Sequence, residues 1–469
     1  MTEQETILDQ NGKPLSSIYF LGIGGIGMSA LARYYNSRQV KVSGYDKTPT
    51  PLTGLLTEEG IAVHFEDNPD MLDKAANFVV YTPAIPKDHK ELNFYKDNGY
   101  VLKKRSEVLG SITKDNFNIC VAGTHGKTTT STMIAHLLRD TGYGCNAFLG
   151  GIAANYNTNF WPAPNHSGSA NKNVCVAEAD EYDRSFLQLS PDIAIITAMD
   201  ADHLDIYGDE KTMQDAFVQF TGKIKTGGLL ISKKGIARTE DFIASNKMTY
   251  AATDDTADIY TKNIRIVNGS YVFDVQVREK LVKDVELNMG GMHNIENAIA
   301  AIAVALNLGI EEEKIKKAVS NFEGVKRRFE YVVKTTDRIV IDDYAHHPEE
   351  LRALIEGAKE LFPLKKVTVL FQPHLFSRTN DLAEGFGEVL SMADETILLP
   401  IYPARELPMP GVTSELVLNK MTNEKKSVKE KEEVLEWLKN NDVELLIISG
   451  AGDIDTLVEP IKDIVLNKK

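Results

Sequence analysis

The sequence predicts an α/β protein of about three domains, each built on a largely parallel sheet. Short apolar runs alternate with helical patterns along the whole chain, as expected for strands joined by crossover helices. Three of these runs, at 18–21, 118–122 and 338–341, lead into a glycine-rich or charged turn. The third observation is length: 469 residues, at roughly 100–200 per domain, give about three domains.

Each domain has its own markers. The first is expected over 1–113, the second over 114–330 and the third over 331–469. Further strands are expected at 174–177 and 193–197 in the second, and at 367–371, 396–400 and 445–449 in the third. Residues 258–289 alternate apolar and polar, which suits a small antiparallel sheet with one wet face beside the parallel core. The Asn-, Pro-, Ser- and Gly-rich stretch 155–173 reads as a loop. The charge-dense run 420–436 reads as a solvated helical face, and no repeat of fixed period is present.

Composition narrows the function. A net charge of -15 argues against a broad nucleic-acid footprint. It also means that any anionic ligand must be held by local cations, backbone N–H groups or metal ions. Cys120, Cys145 and Cys175 form no CxxC pair and read as small buried apolar residues in a reducing compartment. The first thirteen residues are polar, and no apolar run is long enough to span a bilayer. A cytoplasmic protein is expected, without nucleic-acid or membrane partners, as a monomer or homodimer.

The first turn holds Gly22, Gly24, Gly25 and Gly27 in a G-x-G-x-x-G pattern after a strand, and Asp46 follows a second strand at 40–42. Such glycines let backbone N–H groups approach a pyrophosphate at a helix N-terminus, and the acid suits a ribose hydroxyl. An NAD-dependent oxidoreductase and a UDP-sugar enzyme both satisfy this pattern, and a tight turn without a ligand satisfies it too.

The second turn is sharper. Gly123, Thr124, His125, Gly126, Lys127, Thr128 and Thr129 follow a strand and precede a helical pattern at 131–139. Backbone N–H groups there can cradle phosphates, Lys127 can reach the β- and γ-phosphates of ATP, and the Thr128 hydroxyl can ligate Mg²⁺. The strict P-loop has Gly where this chain has Val121, so this is a shortened variant. A phosphate loop needs a carboxylate at the end of a neighbouring strand to hold its metal. Glu178 is best placed, and His203 is a second candidate ligand. Asn294 and Asn297 open an Ala-rich helix and suit either an adenine edge or a helix cap. Arg327 and Arg328, at the second boundary, suit either phosphate or solvent.

In this order the motifs resemble those of the Mur ligases, the ATP-dependent enzymes that build the peptidoglycan stem peptide. The carriers are the 22–29 loop, the GTHGKTTT loop, Glu178 to Glu181, Asp202 with His203, His293 to Asn297, Arg327 with Arg328, Asp342 to Pro348, Phe371 to His374 and Gly450 to Asp453. The resemblance covers nearly the whole chain. It implies a Rossmann-like UDP-substrate domain, a central P-loop ATPase domain and a Rossmann-like C-terminal domain that closes over the ATP site. It implies ATP and Mg²⁺. The first glycine loop further implies UDP-N-acetylmuramate as acceptor and L-alanine as the added amino acid, through an acyl-phosphate. Carried over by position, Lys127 and Thr128 hold phosphate and metal, Glu178 and His203 hold metal, Asn294, Asn297 and Tyr344 lie by the adenine, and Arg328 or its neighbour meets phosphate. His346 and Arg378 lie near the alanine. The chain departs from the family at Leu375, where Arg is common, and at Tyr182, where Ser is common.

A ligase that reattaches whole recycled peptides to the same sugar is the near alternative. A non-catalytic nucleotide-binding regulator would leave Glu178, His203 and the third-domain histidines without purpose. If Lys127 holds the transferring phosphoryl group, Lys127→Ala abolishes turnover while circular dichroism shows the fold intact; normal ligation by the folded variant would remove the role.

Overall fold

The computed structural model describes residues 14–114, 116–164, 173–200, 204–404 and 406–468. The chain divides into two compact units. One comprises Met1–Thr261, Gln276–Lys280 and Asn297–Ala318, the other Lys262–Val275, Leu281–Glu296 and Val319–Lys469. Three α/β layers follow one another along the chain, as the apolar runs predict.

The first unit opens with a five-stranded parallel sheet. Its order is Ala62–His64, Lys41–Tyr45, Ser17–Leu21, Phe78–Tyr81, Leu102–Lys104. Ser17–Leu21 is central and buried along its whole length, which is why it reads as an unbroken apolar run rather than an alternating one. A second sheet in the same unit runs Asn246–Tyr250, Leu229–Lys233, Ile193–Ile196, Phe117–Ala122, Val174–Glu178, Asn146–Ala153, Thr158–Trp161. Only the last pair is antiparallel.

The helix after the first glycine loop, Ile26–Asn36, also packs against the second sheet. The Tyr34 ring lies 5.4 Å from Phe148 and 6.0 Å from Phe160. Asn159, fully buried, donates to the Ile26 carbonyl at 2.5 Å and to Ser29 Oγ at 2.9 Å, and accepts from the Arg33 guanidinium. Arg33 also grips Glu59 through Nε and Nη2. A buried guanidinium persists only when such partners surround it. This polar knot fixes the first glycine loop relative to the second sheet.

The strand Ile259–Val267 starts beside Tyr250 and is followed by Ser270–Val277 and Lys280–Leu287, most of whose residues belong to the second unit. Two-residue connections join them, so neighbours run antiparallel as the 258–289 alternation suggests. Asn268 and Gly269 both take positive φ, 52° and 74°, which the tight turn between the first two requires. The second unit also holds a six-stranded sheet in the order Glu330–Lys334, Ile339–Asp343, Leu445–Ser449, Val367–Phe371, Glu395–Leu398, Lys425–Val428. It is parallel except for its first strand.

Two local expectations are corrected. The strand Thr158–Trp161 lies within the stretch read as a loop, because a four-residue edge strand among turn residues carries too little periodicity to be seen. Lys425–Val428 lies within the stretch read as helical, and the helix starts only at Lys431. Lysines on an edge strand block pairing with other chains, and here they imitate a solvated helix in sequence. Cys120, Cys145 and Cys175 are buried free thiols. Among the described residues no helix is long and apolar enough to cross a membrane.

The first sheet buries a proton-sharing triad. The Tyr19 hydroxyl lies 2.7 Å from Glu91 Oε2 and 2.6 Å from His64 Nε2. His64 Nδ1 faces the Glu66 carbonyl at 3.0 Å and so carries its own hydrogen. One hydroxyl proton cannot serve both Glu91 and His64, so the triad holds an extra proton. Burial pushes the Glu91 carboxyl up from 4.5 to about 7. Between these values the folded chain keeps a proton that the unfolded chain has lost. The contribution of Glu91 to stability is therefore full below the lower value and falls as pH rises through the window. Glu91→Gln imitates the protonated acid: its denaturation midpoint should match wild type near pH 5 and exceed it near pH 8, and equal midpoints at both would refute the shared proton.

Candidate active site

Three neighbouring parallel strands of the second sheet end side by side. Val121 pairs with Glu178 and Ala122 with Ile196, so the phosphate loop, Glu178 and the turn after Ile196 emerge at one edge. In open parallel sheets the crevice at the carboxyl ends of the strands is where ligands bind. Gly123 and Gly126 have φ of 138° and 81°, conformations that side chains rarely adopt. A methyl on Gly123 would also lie 2.8 Å from the Ala198 nitrogen. Thr124 is pinned by Ala198 and Asp200: its N–H donates to the Ala198 carbonyl at 3.1 Å, and its hydroxyl accepts from the Asp200 N–H at 3.1 Å. The helix Lys127–Asp140 starts at once, with Thr128 and Thr129 buried in its first turn.

Lys127 lies folded onto its own loop. Nζ donates to the Gly123 carbonyl at 2.6 Å and to Glu181 Oε1 at 2.7 Å. Glu181 is fully buried, its second oxygen has no partner among the described residues, and the Tyr207 hydroxyl donates to its carbonyl at 2.5 Å. Burial pushes the Glu181 carboxyl up, against the pull of Lys127. In sequence Glu181 is visible only as part of the motif from Glu178 to Glu181, with no role of its own.

Glu178 is aimed by the adjacent strand. Its Oε2 accepts the Gly150 N–H at 3.1 Å, and any methyl on Gly150 would overlap the carboxylate. The pair Gly150 and Gly151 hid this strand from sequence analysis, yet the absence of a side chain is what lets the carboxylate lie there. Asn297 is close to the loop as well. Its Oδ1 accepts from Thr130 Oγ1 at 3.0 Å and would lie 2.9 Å from a methyl on Gly126. Asn294, in the first turn of the helix Met292–Asn307, donates to the Gly290 carbonyl at 2.7 Å. His125 is largely exposed, with Nε2 3.9 Å from Asp200. His203 lies outside the described residues.

The first glycine loop sits in the same unit. Gly22 has φ of 87°, and its N–H donates to the Tyr45 carbonyl at 2.8 Å. Asp46 Oδ2 accepts the Gly24 N–H at 2.7 Å, so the acid braces the loop itself. Gly25 and Gly27 lead into the helix, and Arg105 Nη1 lies 2.8 Å from where a methyl on Gly27 would be. Arg105 also donates to Asp180 Oδ2 at 3.1 Å. A guanidinium beside a diphosphate-type loop is the cation that a chain of net charge -15 must provide locally. Its only signal in sequence is the basic triplet 103–105.

The second unit gathers another cluster at the carboxyl edge of its parallel strands. Arg327 stacks over the Tyr344 ring with 5.1 Å to the centroid, accepts the Tyr344 N–H at 2.7 Å and lies 3.7 Å from the buried Asp342. Burial pushes Asp342 up to about 7 and Asp343 up to about 6. Arg328 is exposed. His346 Nδ1 lies 3.0 Å from the Tyr344 carbonyl, which only accepts, so Nδ1 carries the hydrogen and Nε2 a lone pair. Burial holds its imidazole below the ordinary range. The His374 ring lies 6.1 Å from that of His346. His374 Nδ1 and Arg378 Nη1 are buried without a partner among the described residues. His374 was seen only as part of a motif, and Tyr402, stacked against it, was not singled out.

Family models of the Mur ligases match three stretches: "Mur ligase family, catalytic domain" over residues 17–116, "Mur ligase middle domain" over 121–305 and "Mur ligase, glutamate ligase domain" over 327–452. The UDP-N-acetylmuramate–L-alanine ligase of Flavobacterium johnsoniae is 46% identical over 96% of this chain and 98% of its own length. The chain belongs to the Mur ligase family. The relative of the same name from Cytophaga hutchinsonii is 47% identical over 96% of both chains. Among solved structures, the UDP-N-acetylmuramate-alanine ligase MurC of Thermotoga maritima superposes with a TM-score of 0.81 at 27% identity, covering 97% of this chain and 100% of that one. A murein peptide ligase of Psychrobacter arcticus shares the fold at a TM-score of 0.66 and 23% identity, covering 97% and 99%. The Mur ligase fold thus accounts for all three sheets.

Gly150→Ala tests the placement of Glu178. The methyl meets the movable end of a side chain, so the melting temperature should hardly change. Displacing the carboxylate should lower turnover about hundredfold, and wild-type turnover would show that Glu178 needs no such alignment.

Proposed function

We propose that the protein joins L-alanine to the carboxylate of UDP-N-acetylmuramate, using ATP and releasing ADP and inorganic phosphate, in peptidoglycan synthesis. The observation that carries the reaction type is the phosphate loop with Glu178 held one strand away. The substrates rest on the relatives, which bear the alanine-ligase name along nearly the whole chain. The domains run over 1–113 for the UDP-sugar, 114–330 for ATP and 331–469 for the amino acid, and the enzyme works in the cytoplasm, where nucleotide sugars and ATP are found.

Gly22, Gly24, Gly25 and Gly27 receive the diphosphate, with Arg105 beside them. Lys127, released from Glu181, and the amides from Gly123 to Thr129 hold the ATP phosphates. Thr128 and Glu178 offer hard oxygen donors that fit Mg²⁺, with His203 as a further ligand. That ion neutralises charge between phosphate and carboxylate oxygens when bound. Asn294, Asn297, Tyr344 and Arg328 serve the rest of the nucleotide.

A carboxylate oxygen of the sugar attacks the γ-phosphorus, and the bond from that phosphorus to the bridging oxygen of ADP breaks. The alanine nitrogen then attacks the acyl carbon. The tetrahedral adduct expels phosphate and the nitrogen loses a proton. Neutral His346, with its lone pair on Nε2, is the acceptor for that proton, and Arg378 meets the alanine carboxylate.

Phosphate release from ATP with UDP-N-acetylmuramate and Mg²⁺, each amino acid added in turn, tests this. Release that needs the sugar and is strongest with L-alanine is expected. Release with a tripeptide but with no single amino acid would reassign the protein to peptide recycling.

A further inference from the structure

The segments from Phe371 to His374 and from Gly450 to Asp453 have no part in the chemistry above, yet they converge. Phe371 and Ser449 pair at the ends of adjacent parallel strands. The Gln372 side chain ties the two loops together: Nε2 donates to Asp453 Oδ1 at 2.8 Å, and Oε1 accepts the Ile454 N–H at 2.9 Å. Both glycines of the second loop are needed for this approach. A methyl on Gly450 would lie 2.8 Å from the Gln372 carbonyl oxygen, and one on Gly452 would overlap Gln372 Oε1 and lie 2.6 Å from Tyr402 Cβ. Gly452 therefore backs Tyr402.

Tyr402 in turn encloses His374. Its N–H donates to the Pro373 carbonyl at 2.9 Å, and its carbonyl accepts the Leu375 N–H at 2.9 Å. Its ring stacks on the imidazole with centroids 5.8 Å apart and planes 15° from parallel. Leu375, whose φ is 69°, is held in a conformation that branched side chains avoid. It starts the short helix Phe376–Asp381 that carries Arg378. Glu406, four residues beyond Tyr402, accepts the Ser377 N–H at 3.0 Å and so holds the first turn of the same helix. Among the described residues, His374 Nδ1 and Arg378 Nη1 are buried without a partner. The Arg378 charge also bears on the His374 and His346 rings. A cation and a ring nitrogen without partners in one buried corner suit a carboxylate.

We propose that Tyr402 is a positioning residue for amino-acid binding: by stacking on His374 and clamping the backbone on either side of it, Tyr402 sets His374 Nδ1 and Arg378 Nη1 to receive the substrate carboxylate together. The inference rests on reading this cluster as the amino-acid site. Steady-state kinetics of the full chain, varying L-alanine and ATP separately at saturating UDP-N-acetylmuramate, tests it. Tyr402→Leu should raise the KM for L-alanine about tenfold with little change in the KM for ATP, and Tyr402→Phe, which keeps the stack, should behave as wild type. An unchanged alanine KM in Tyr402→Leu, equal increases for both substrates, or an equal defect in Tyr402→Phe would overturn the proposal. Should Tyr402→Leu fail to fold, Tyr402→Met, which fills the space without a planar ring, is read in the same way. Failure of the unaltered protein to show alanine-dependent turnover would instead overturn the functional reading beneath the proposal.

Discussion

Phe117–Ala122 lies between Val174–Glu178 and Ile193–Ile196 in parallel register, and the placement of the phosphate site depends on that alignment. Parallel strands end in the same direction, so three separate stretches of chain deliver their turns to one edge. The phosphate loop, Glu178 and the Thr197 to Asp200 turn meet there without any of them being near another in sequence. A shift of one residue in the pairing of Val174–Glu178 would turn Glu178 to the other face of the sheet and take it from Gly150. Close packing of these buried strands opposes such a shift, because each side chain fills a space of its own size.

Charge is handled locally throughout. The chain is acidic as a whole, yet Lys127 and Arg105, beside the two glycine-rich loops, are each paired with a carboxylate. Lys127 rests on Glu181 and Arg105 on Asp180. Anionic ligands thus meet preplaced cations whose present partners they must displace or share. The cost of burying Glu181 is offset by Lys127, and the loop carbonyl that Lys127 also contacts fixes the ammonium at the mouth of the loop. In the second unit the arrangement is reversed. His374 Nδ1 and Arg378 Nη1 stay buried without partners among the described residues, so the framework of Tyr402, Gln372 and the two glycines bears the cost of keeping them there.

Much of this was legible in the sequence. Apolar runs located the central strands, because a strand covered on both faces has no polar positions to obscure it. Both glycine loops were visible, because positive φ and close backbone approach restrict the choice of residue to glycine. The edge strands Thr158–Trp161 and Lys425–Val428 were not visible, because an edge strand needs little apolar surface. Asp46 joins a local and a tertiary role: its spacing fits a ribose contact, and its carboxylate braces Gly24.

The sequence by itself determined the α/β class, the order of the motifs, the phosphate loop and the family resemblance, since all of these reside in residues close together along the chain. Only the tertiary structure decided which acid Lys127 contacts, what aims Glu178 and what lies against His374. Those answers belong to Glu181, Gly150 and Tyr402. Each lies more than twenty residues from its partner. Strand register and loop packing bring them together, and neither leaves a mark in the local pattern of residues.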